Sequence, residues 1–67
     1  MIELRINGES RSFDVAPLVS DILDSLGLTG KRVALERNGA IVPKSLHGST
    51  RCAAGDVIEI VVAVGGG

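Results

Sequence analysis

The sequence predicts one α+β domain, a mixed sheet of four to five strands with one main helix packed across it. Three observations indicate this class. Apolar and charged residues alternate at the start of the chain, a helical apolar stripe follows, and a nearly continuous apolar run comes near the end. The chain of 67 residues has the length of one small domain, and 45% of its residues are hydrophobic, a composition too apolar for disorder.

The first two strands are predicted to form a hairpin. Asn7-Gly8 separates them, and this pair tolerates the positive φ angles of a type I′ turn better than most others. The returning strand, residues 9–14, is polar apart from Phe13. A polar strand is typical of a sheet edge, and Phe13 is expected to point into the core.

The main helix is predicted to begin at Pro17, because the missing N–H of proline costs nothing at the first helical position. Gly27 is expected to end the helix as the residue after its C-cap. Asp21 and Asp24 lie on the polar side, where they are interpreted as surface charges and not as an acid–base pair. The apolar stripe, spaced i, i+3, i+4 and i+7, consists of Val19, Ile22, Leu23 and Leu26.

Two further strands follow the helix. Residues 33–36 alternate in character, and Asn38-Gly39 repeats the turn signal. A short fourth strand at residues 41–42 stops at Pro43, since proline cannot donate to a ladder.

The rest of the chain is predicted to be a loop and a central strand. Residues 44–54 show no period and are expected to form a loop with a turn of helix around Ser45 and Leu46. Residues 57–64 are almost all Ile and Val, which indicates a strand covered on at least one face.

These elements fit a hairpin crossed by a helix, with the last strand parallel to the first, which also satisfies the crossover rule. This is the β-grasp, or ubiquitin-like, arrangement. Residues 1–64 are expected to form the domain and residues 65–67 a flexible tail. The side chains expected in the core are Ile2, Leu4, Ile6, Phe13, Val19, Ile22, Leu23, Leu26, Val33, Leu35, Val42, Ile58, Ile60 and Val62.

The glycine tail has no side chain that could do chemistry. Gly65, Gly66 and Gly67 are thin enough to enter channels that larger residues would not fit. The candidate reactive group is therefore the α-carboxylate of Gly67. A carboxylate is a poor electrophile until it is activated, so a carrier with this end needs a partner that adenylates it with ATP and Mg²⁺. The alternative is an inert chain end.

Composition and side chains argue against several other functions. A net charge of -1 and a single aromatic residue disfavour nucleic-acid binding. No apolar run is long enough to span a membrane, and with one cysteine and no signal peptide we expect a cytoplasmic protein. Cys52 is interpreted as a small buried hydrophobe and His47 as a surface loop residue. One Cys and one His are too few for a zinc site, so no metal is expected.

Three segments resemble the ThiS family of sulfur carriers in thiamine biosynthesis. Residues 6–9 (INGE) are similar to its first turn, residues 33–43 (VALERNGAIVP) to its central stretch, and residues 55–67 (GDVIEIVVAVGGG) to its closing strand and tail. The resemblance covers nearly the whole chain and implies a carrier that acts as a cosubstrate, not an enzyme, binds no cofactor of its own and is a monomer when alone.

The resemblance also implies a reaction sequence at Gly67. An E1-like adenylating enzyme, ThiF, would activate the carboxylate, and sulfur from a cysteine persulfide would then displace AMP. The product would be a thiocarboxylate, whose sulfur thiazole synthase, ThiG, would take into the thiazole ring. Gly65 and Gly66 would be the backbone that threads the channels of these partners.

The partner-docking surface is predicted on the polar side of the sheet. Val57 and Val61 would face outward there beside Ala34, among charged residues. Three alternatives remain for the function: a MoaD-like sulfur carrier for molybdopterin, a ubiquitin-like protein modifier, and a binding module with an inert tail.

Overall fold

Five strands, one α-helix and one 3₁₀ helix build the fold, and the computed structural model describes residues 1–63. The sheet has the order β2-β1-β5-β3-β4, with β1 parallel to β5 and the other neighbours antiparallel. The predicted α+β class and the β-grasp arrangement are confirmed. The elements are β1 (Ile2–Ile6), β2 (Glu9–Phe13), α1 (Val19–Ser25), β3 (Val33–Arg37), β4 (Ala40–Ile41), the 3₁₀ helix (Lys44–Leu46) and β5 (Val57–Val62).

Both predicted hairpin turns are confirmed, and their asparagines also support the central strand. Asn7 and Asn38 have φ angles of 49° and 52°, and the glycines after them have 83° and 86°. Asn7 Oδ1 accepts the N–H of Ile60 at 2.7 Å, and Asn38 Oδ1 accepts the N–H of Val57 at 2.9 Å. The two turns therefore hold β5 next to β1 and β3 by side-chain hydrogen bonds, in addition to the backbone hydrogen bonds between the strands.

The helix begins at Val19, two residues later than predicted. Pro17 does not start it, because the Pro17 carbonyl accepts the N–H of Cys52 at 2.8 Å and Leu18 is extended, with ψ of 156°. Leu18 is the N-cap residue, and its N–H donates to Asp21 Oδ2 at 3.0 Å. The C-terminal prediction is confirmed, since Gly27 follows the C-cap residue Leu26 with φ of 73°.

Helix α1 and the inner side of the sheet enclose the core. The buried apolar residues are Leu4, Ile6, Val19, Ile22, Leu23, Leu35, Cys52, Ile58 and Ile60. Five of the other residues predicted there are partly buried against this cluster: Ile2, Phe13, Leu26, Val33 and Val42.

The prediction that Val62 is buried is wrong, since 41% of it is exposed. A helix of seven residues is about 10 Å long, whereas a strand of six residues extends over about 20 Å. The end of β5 therefore extends past the cover that α1 provides. The predicted strand limits were also slightly off, because β2 ends at Phe13 and β4 spans Ala40–Ile41.

The loop after β4 packs against the start of α1. Its predicted helical turn is present as the 3₁₀ helix Lys44–Leu46. The interpretation of His47 as a surface residue is wrong: it is 8% exposed, and its Nε2 donates to Val42 O at 3.0 Å. The His47 carbonyl accepts the N–H of Ser20 at 2.9 Å, so backbone pairing with the helix turns this residue inward.

Asp56 anchors the start of β5 through a buried polar network. One carboxylate oxygen accepts from Arg37 Nε at 2.7 Å and from the Ala53 N–H at 2.8 Å, and the other accepts from Asn38 Nδ2 at 3.0 Å. Burial by itself raises the pKa of Asp56. The hydrogen bonds from Ala53, Asn38 and Arg37, together with the charge of Arg37, outweigh this effect and hold the pKa below its usual range.

We expect the protein to lose stability in acid through Asp56. Because the folded-state pKa is lowered, the stabilisation is present above the unfolded-state pKa of about 3.9 and is lost as pH falls through the folded value. Asp56→Asn places an amide N–H next to the donors of Arg37 and Ala53. This should lower the free energy of unfolding by about 1–3 kcal/mol at neutral pH. Urea unfolding between pH 7 and about pH 2, a range that extends below the usual pKa of an Asp, checks this. The variant should show a shallower acid dependence than the parent and than the exposed control Asp14→Asn; equal slopes in all three would contradict the assignment.

Candidate functional site

The outer side of the sheet carries the predicted docking residues. Val57 is 40% exposed and Val61 is 66% exposed, on the opposite face of β5 from Ile58 and Ile60. Ala34 is also exposed, and it is the direct cross-strand partner of Val61. The predicted outward orientation of these three residues is therefore present, and their docking role stays a prediction.

An additional apolar residue belongs to this surface and was missed in the sequence. Ile41 on β4 is 60% exposed and is the cross-strand partner of Glu36. A two-residue strand shows no alternation, so its facing could not be read from a period. We use the term outer face for Ala34, Glu36, Ile41, Val57, Glu59 and Val61.

Two carboxylates lie side by side at the centre of the outer face. Glu36 on β3 is the cross-strand partner of Glu59 on β5. Like charges directly opposite each other destabilise a sheet. The two ion pairs found within residues 1–63, Arg11–Glu9 and Arg37–Asp56, involve neither of them. The outer face therefore combines exposed aliphatic side chains with a pair of carboxylates that a cation on a partner could neutralise.

The chain leaves the sheet along the same strand. The Ala63 N–H donates to the Arg32 carbonyl at 2.9 Å, which continues the pairing of β5 with β3 by one residue. Val57, Glu59, Val61 and Ala63 are all exposed, at alternate positions. The predicted reactive residue Gly67 and the predicted channel residues Gly65 and Gly66 lie outside the described residues. The outer face thus borders the point where the chain continues toward them.

The side chains considered for catalysis do not form a reactive pair. Cys52 is 2% exposed, which confirms the prediction of a small buried hydrophobe. Burial raises the pKa of its thiol, the charge of Asp56 raises it further, and Arg37 partly offsets both. This disfavours the thiolate that a nucleophile needs. His47 bonds instead to a backbone carbonyl.

Residues 1–63 contain neither a metal-binding cluster nor a membrane-spanning helix. They contain no group of three or more His, Cys, Asp or Glu residues arranged to hold a metal ion. No helix in this part of the chain has the length and apolar character needed to cross a membrane.

Comparison with known proteins identifies the family. The model of the ThiS family matches residues 4–67. The chain belongs to the ThiS family. In structure it is similar to the thiamine biosynthesis protein ThiS from Geobacter metallireducens, with a TM-score of 0.81 and 28% identity over 98% of this chain and 100% of that one.

Two curated relatives of this ThiS-family chain are much longer proteins. A thiazole synthase from Paramagnetospirillum magneticum is 44% identical over 66 residues, and a thiazole synthase from Magnetococcus marinus is 32% identical over 66 residues. Each match covers 98% of this chain and 20% of the relative. The chain therefore spans about a fifth of the length of these two relatives.

Proposed function

We propose that this chain is a sulfur carrier of thiamine biosynthesis that acts through the carboxylate of Gly67. The observation that carries the proposal is the ThiS-family match, which includes the glycine tail. The fold supports it, because it leads a paired strand outward to Ala63, four residues before Gly67. Four residues span at most about 14 Å, which is enough to carry a chain end beyond the sheet.

In the proposed chemistry, partner molecules supply the reagents for each bond that forms or breaks at Gly67. A carboxylate oxygen of Gly67 attacks the α-phosphorus of ATP bound with Mg²⁺ in an E1-like, ThiF-like enzyme, and pyrophosphate leaves. Sulfur from a cysteine persulfide then attacks the acyl carbon, and AMP leaves. A thiol cleaves the remaining S–S bond, so that the thiocarboxylate stays on Gly67. The carrier contributes position and a thin tail at Gly65 and Gly66.

A thiazole synthase is the proposed acceptor of the sulfur. In two relatives, a region similar to this chain makes up 20% of a protein named thiazole synthase. Such an arrangement supports a direct contact between a ThiG-like enzyme and this domain. The outer face offers the surface for it, with exposed aliphatic residues and the paired carboxylates of Glu36 and Glu59.

Intact mass spectrometry tests the proposed chemistry. The chain is incubated with ATP, Mg²⁺, a ThiF-like enzyme and a persulfide donor. We expect a mass gain equal to one sulfur-for-oxygen exchange, located by fragmentation at Gly67 and absent without ATP. Transfer of the chain to a lysine amine would indicate a protein modifier instead, and an unchanged mass would favour the inert tail.

A negative charge introduced at Val61 on the outer face is expected to weaken partner binding. Val61→Asp replaces an exposed apolar side chain of the outer face with a carboxylate that a bound partner would have to desolvate. Binding to the ThiF-like or ThiG-like enzyme, measured by calorimetry, should weaken about fivefold or more, because the residues whose change costs over about 1 kcal/mol cluster near the centre of an interface.

Val15→Asp is the matched control, because Val15 is 72% exposed and lies between β2 and α1, away from the outer face. Neither side chain belongs to the core cluster, so both variants should stay folded. Val15→Asp should melt like the parent, whereas Val61→Asp should melt slightly lower because its carboxylate lies on the same face as Glu36 and Glu59. Equal affinities of the parent and Val61→Asp for both enzymes would remove the outer face as the docking surface.

A further inference from the structure

Within residues 1–63, the backbone of β3 has no neighbouring strand on one side at one position. In the pairing with β5, Asn38 N–H donates to Val57 O at 2.8 Å and Ala63 N–H donates to Arg32 O at 2.9 Å. Even-numbered residues of β3 therefore direct their N–H and C=O groups toward β5, and odd-numbered residues direct theirs to the other side.

Strand β4 covers only part of that other side. Val42 N–H donates to Leu35 O at 2.9 Å, and the chain then turns at Pro43 into the 3₁₀ helix. The next odd residue of β3 is Val33, whose N–H and C=O point past the end of β4. An uncovered strand edge of this kind is a template for an added strand.

A groove lies next to this uncovered edge. It has a volume of about 230 Å³ and lies between α1, the segment before β3 and the loop after β4. Its apolar part is formed by Leu23, Leu28 and Val33. Sites for small organic ligands are typically about 300–1,000 Å³, so this groove suits a single anchoring side chain better than a whole cofactor.

The rim of the groove is cationic. Lys31, Arg32 and Lys44 line it, and all three are exposed. The one carboxylate in the lining, Asp24, accepts a hydrogen bond from the Thr29 hydroxyl. The rim thus has an excess of positive charge on a chain whose net charge is -1. Charge complementarity therefore favours an acidic occupant.

We propose that an extended acidic segment of a partner protein adds to the sheet at Val33. Its backbone would exchange hydrogen bonds with the Val33 N–H and C=O, an apolar side chain would enter the groove, and flanking carboxylates would meet Lys31, Arg32 and Lys44. This site is separate from the outer face, since it lies at the sheet edge and under α1. A partner could therefore hold the domain at both places, and the inference does not rest on the proposed sulfur chemistry.

The test uses a blocked peptide of alternating valine and glutamate residues, titrated into the isotopically labelled chain and followed by NMR. We expect shift changes at Val33 and the groove residues, slower hydrogen exchange of the Val33 amide, and loss of binding at about 1 M salt, where the Debye length falls to about 3 Å. The combined variant Lys31→Glu, Arg32→Glu and Lys44→Glu should bind the peptide about tenfold more weakly or worse. Each exposed ion pair contributes only modestly, but this variant removes three of them and replaces each with repulsion.

Two controls separate strand addition from simple charge attraction. Arg11→Glu, on the opposite edge strand β2, should leave the affinity unchanged. A peptide methylated at the alternate amides that face β3 should not bind, because its donors are gone.

Four outcomes would overturn the proposal: shift changes centred on Val57 and Val61, equal binding of the methylated peptide, the same shift changes with inorganic phosphate, or dimers of the chain in sedimentation that compete with the peptide for Val33.

Discussion

A chain without Gly67 is expected to lose sulfur transfer to a thiazole synthase while it unfolds at the same temperature as the parent. The deletion moves the carboxylate inward by up to about 3.5 Å. A site aligned for attack on ATP is sensitive to displacements of about 1 Å, which can cost about a hundredfold in rate. The core cluster found within residues 1–63 spans positions 4–60, and we expect the deletion to leave it intact.

Two further variants examine the same end of the chain. Gly66→Val narrows the allowed backbone angles and widens the segment that has to enter a partner's channel, so sulfur transfer should fall similarly. One residue added after Gly67 converts the reactive carboxylate into an amide. Gly48→Ala is the control, since a Cβ at Gly48 meets nothing within 4 Å and its backbone is not in the left-handed region. If the three tail variants transferred sulfur as well as the parent and the control, the carrier proposal would fail.

The parts of the fold that could be predicted are those with a strong local signal. The two Asn-Gly pairs determined both hairpin turns, because few other pairs accept two positive φ angles in succession. The alternation of β1 and the stripe of α1 assigned the inner faces correctly. For the same reason the outward orientation of Val57 and Val61 could be derived, since residues that alternate with Ile58 and Ile60 have to face away from the core.

The features that could not be predicted depend on contacts between distant segments. Pro17 suits the first position of a helix, yet its carbonyl accepts the N–H of Cys52, and this hydrogen bond holds it outside the helix. His47 lies in a stretch without a period, and its burial follows from pairing with Ser20 and Val42.

The cross-strand pair Glu36–Glu59 and the Arg37–Asp56 ion pair join residues 23 and 19 positions apart, respectively. Only the register of β3 with β5 reveals them. For the docking surface, the outward orientation of Ala34, Val57 and Val61 among charged residues was predictable. The exposed Ile41 and the direct pairing of Glu36 with Glu59 were not.

Ile58→Ala and Val57→Ala should differ sharply in their effect on stability although they alter adjacent residues of β5. Ile58 is 0% exposed and lies between Ile6 on β1 and Arg37 on β3, so its truncation leaves a cavity in the core. Such truncations cost about 2–5 kcal/mol, and a domain of this size has a total stability of about 3–10 kcal/mol. Ile58→Ala should therefore be largely or partly unfolded at 37 °C.

Val57 is 40% exposed, so the free energy of unfolding of Val57→Ala should stay within about 1 kcal/mol of the parent's. Urea unfolding followed by circular dichroism measures both. Similar midpoints for the two variants would mean that the inner and outer faces of β5 are assigned wrongly, and the outer face would then lose its structural basis as a docking surface.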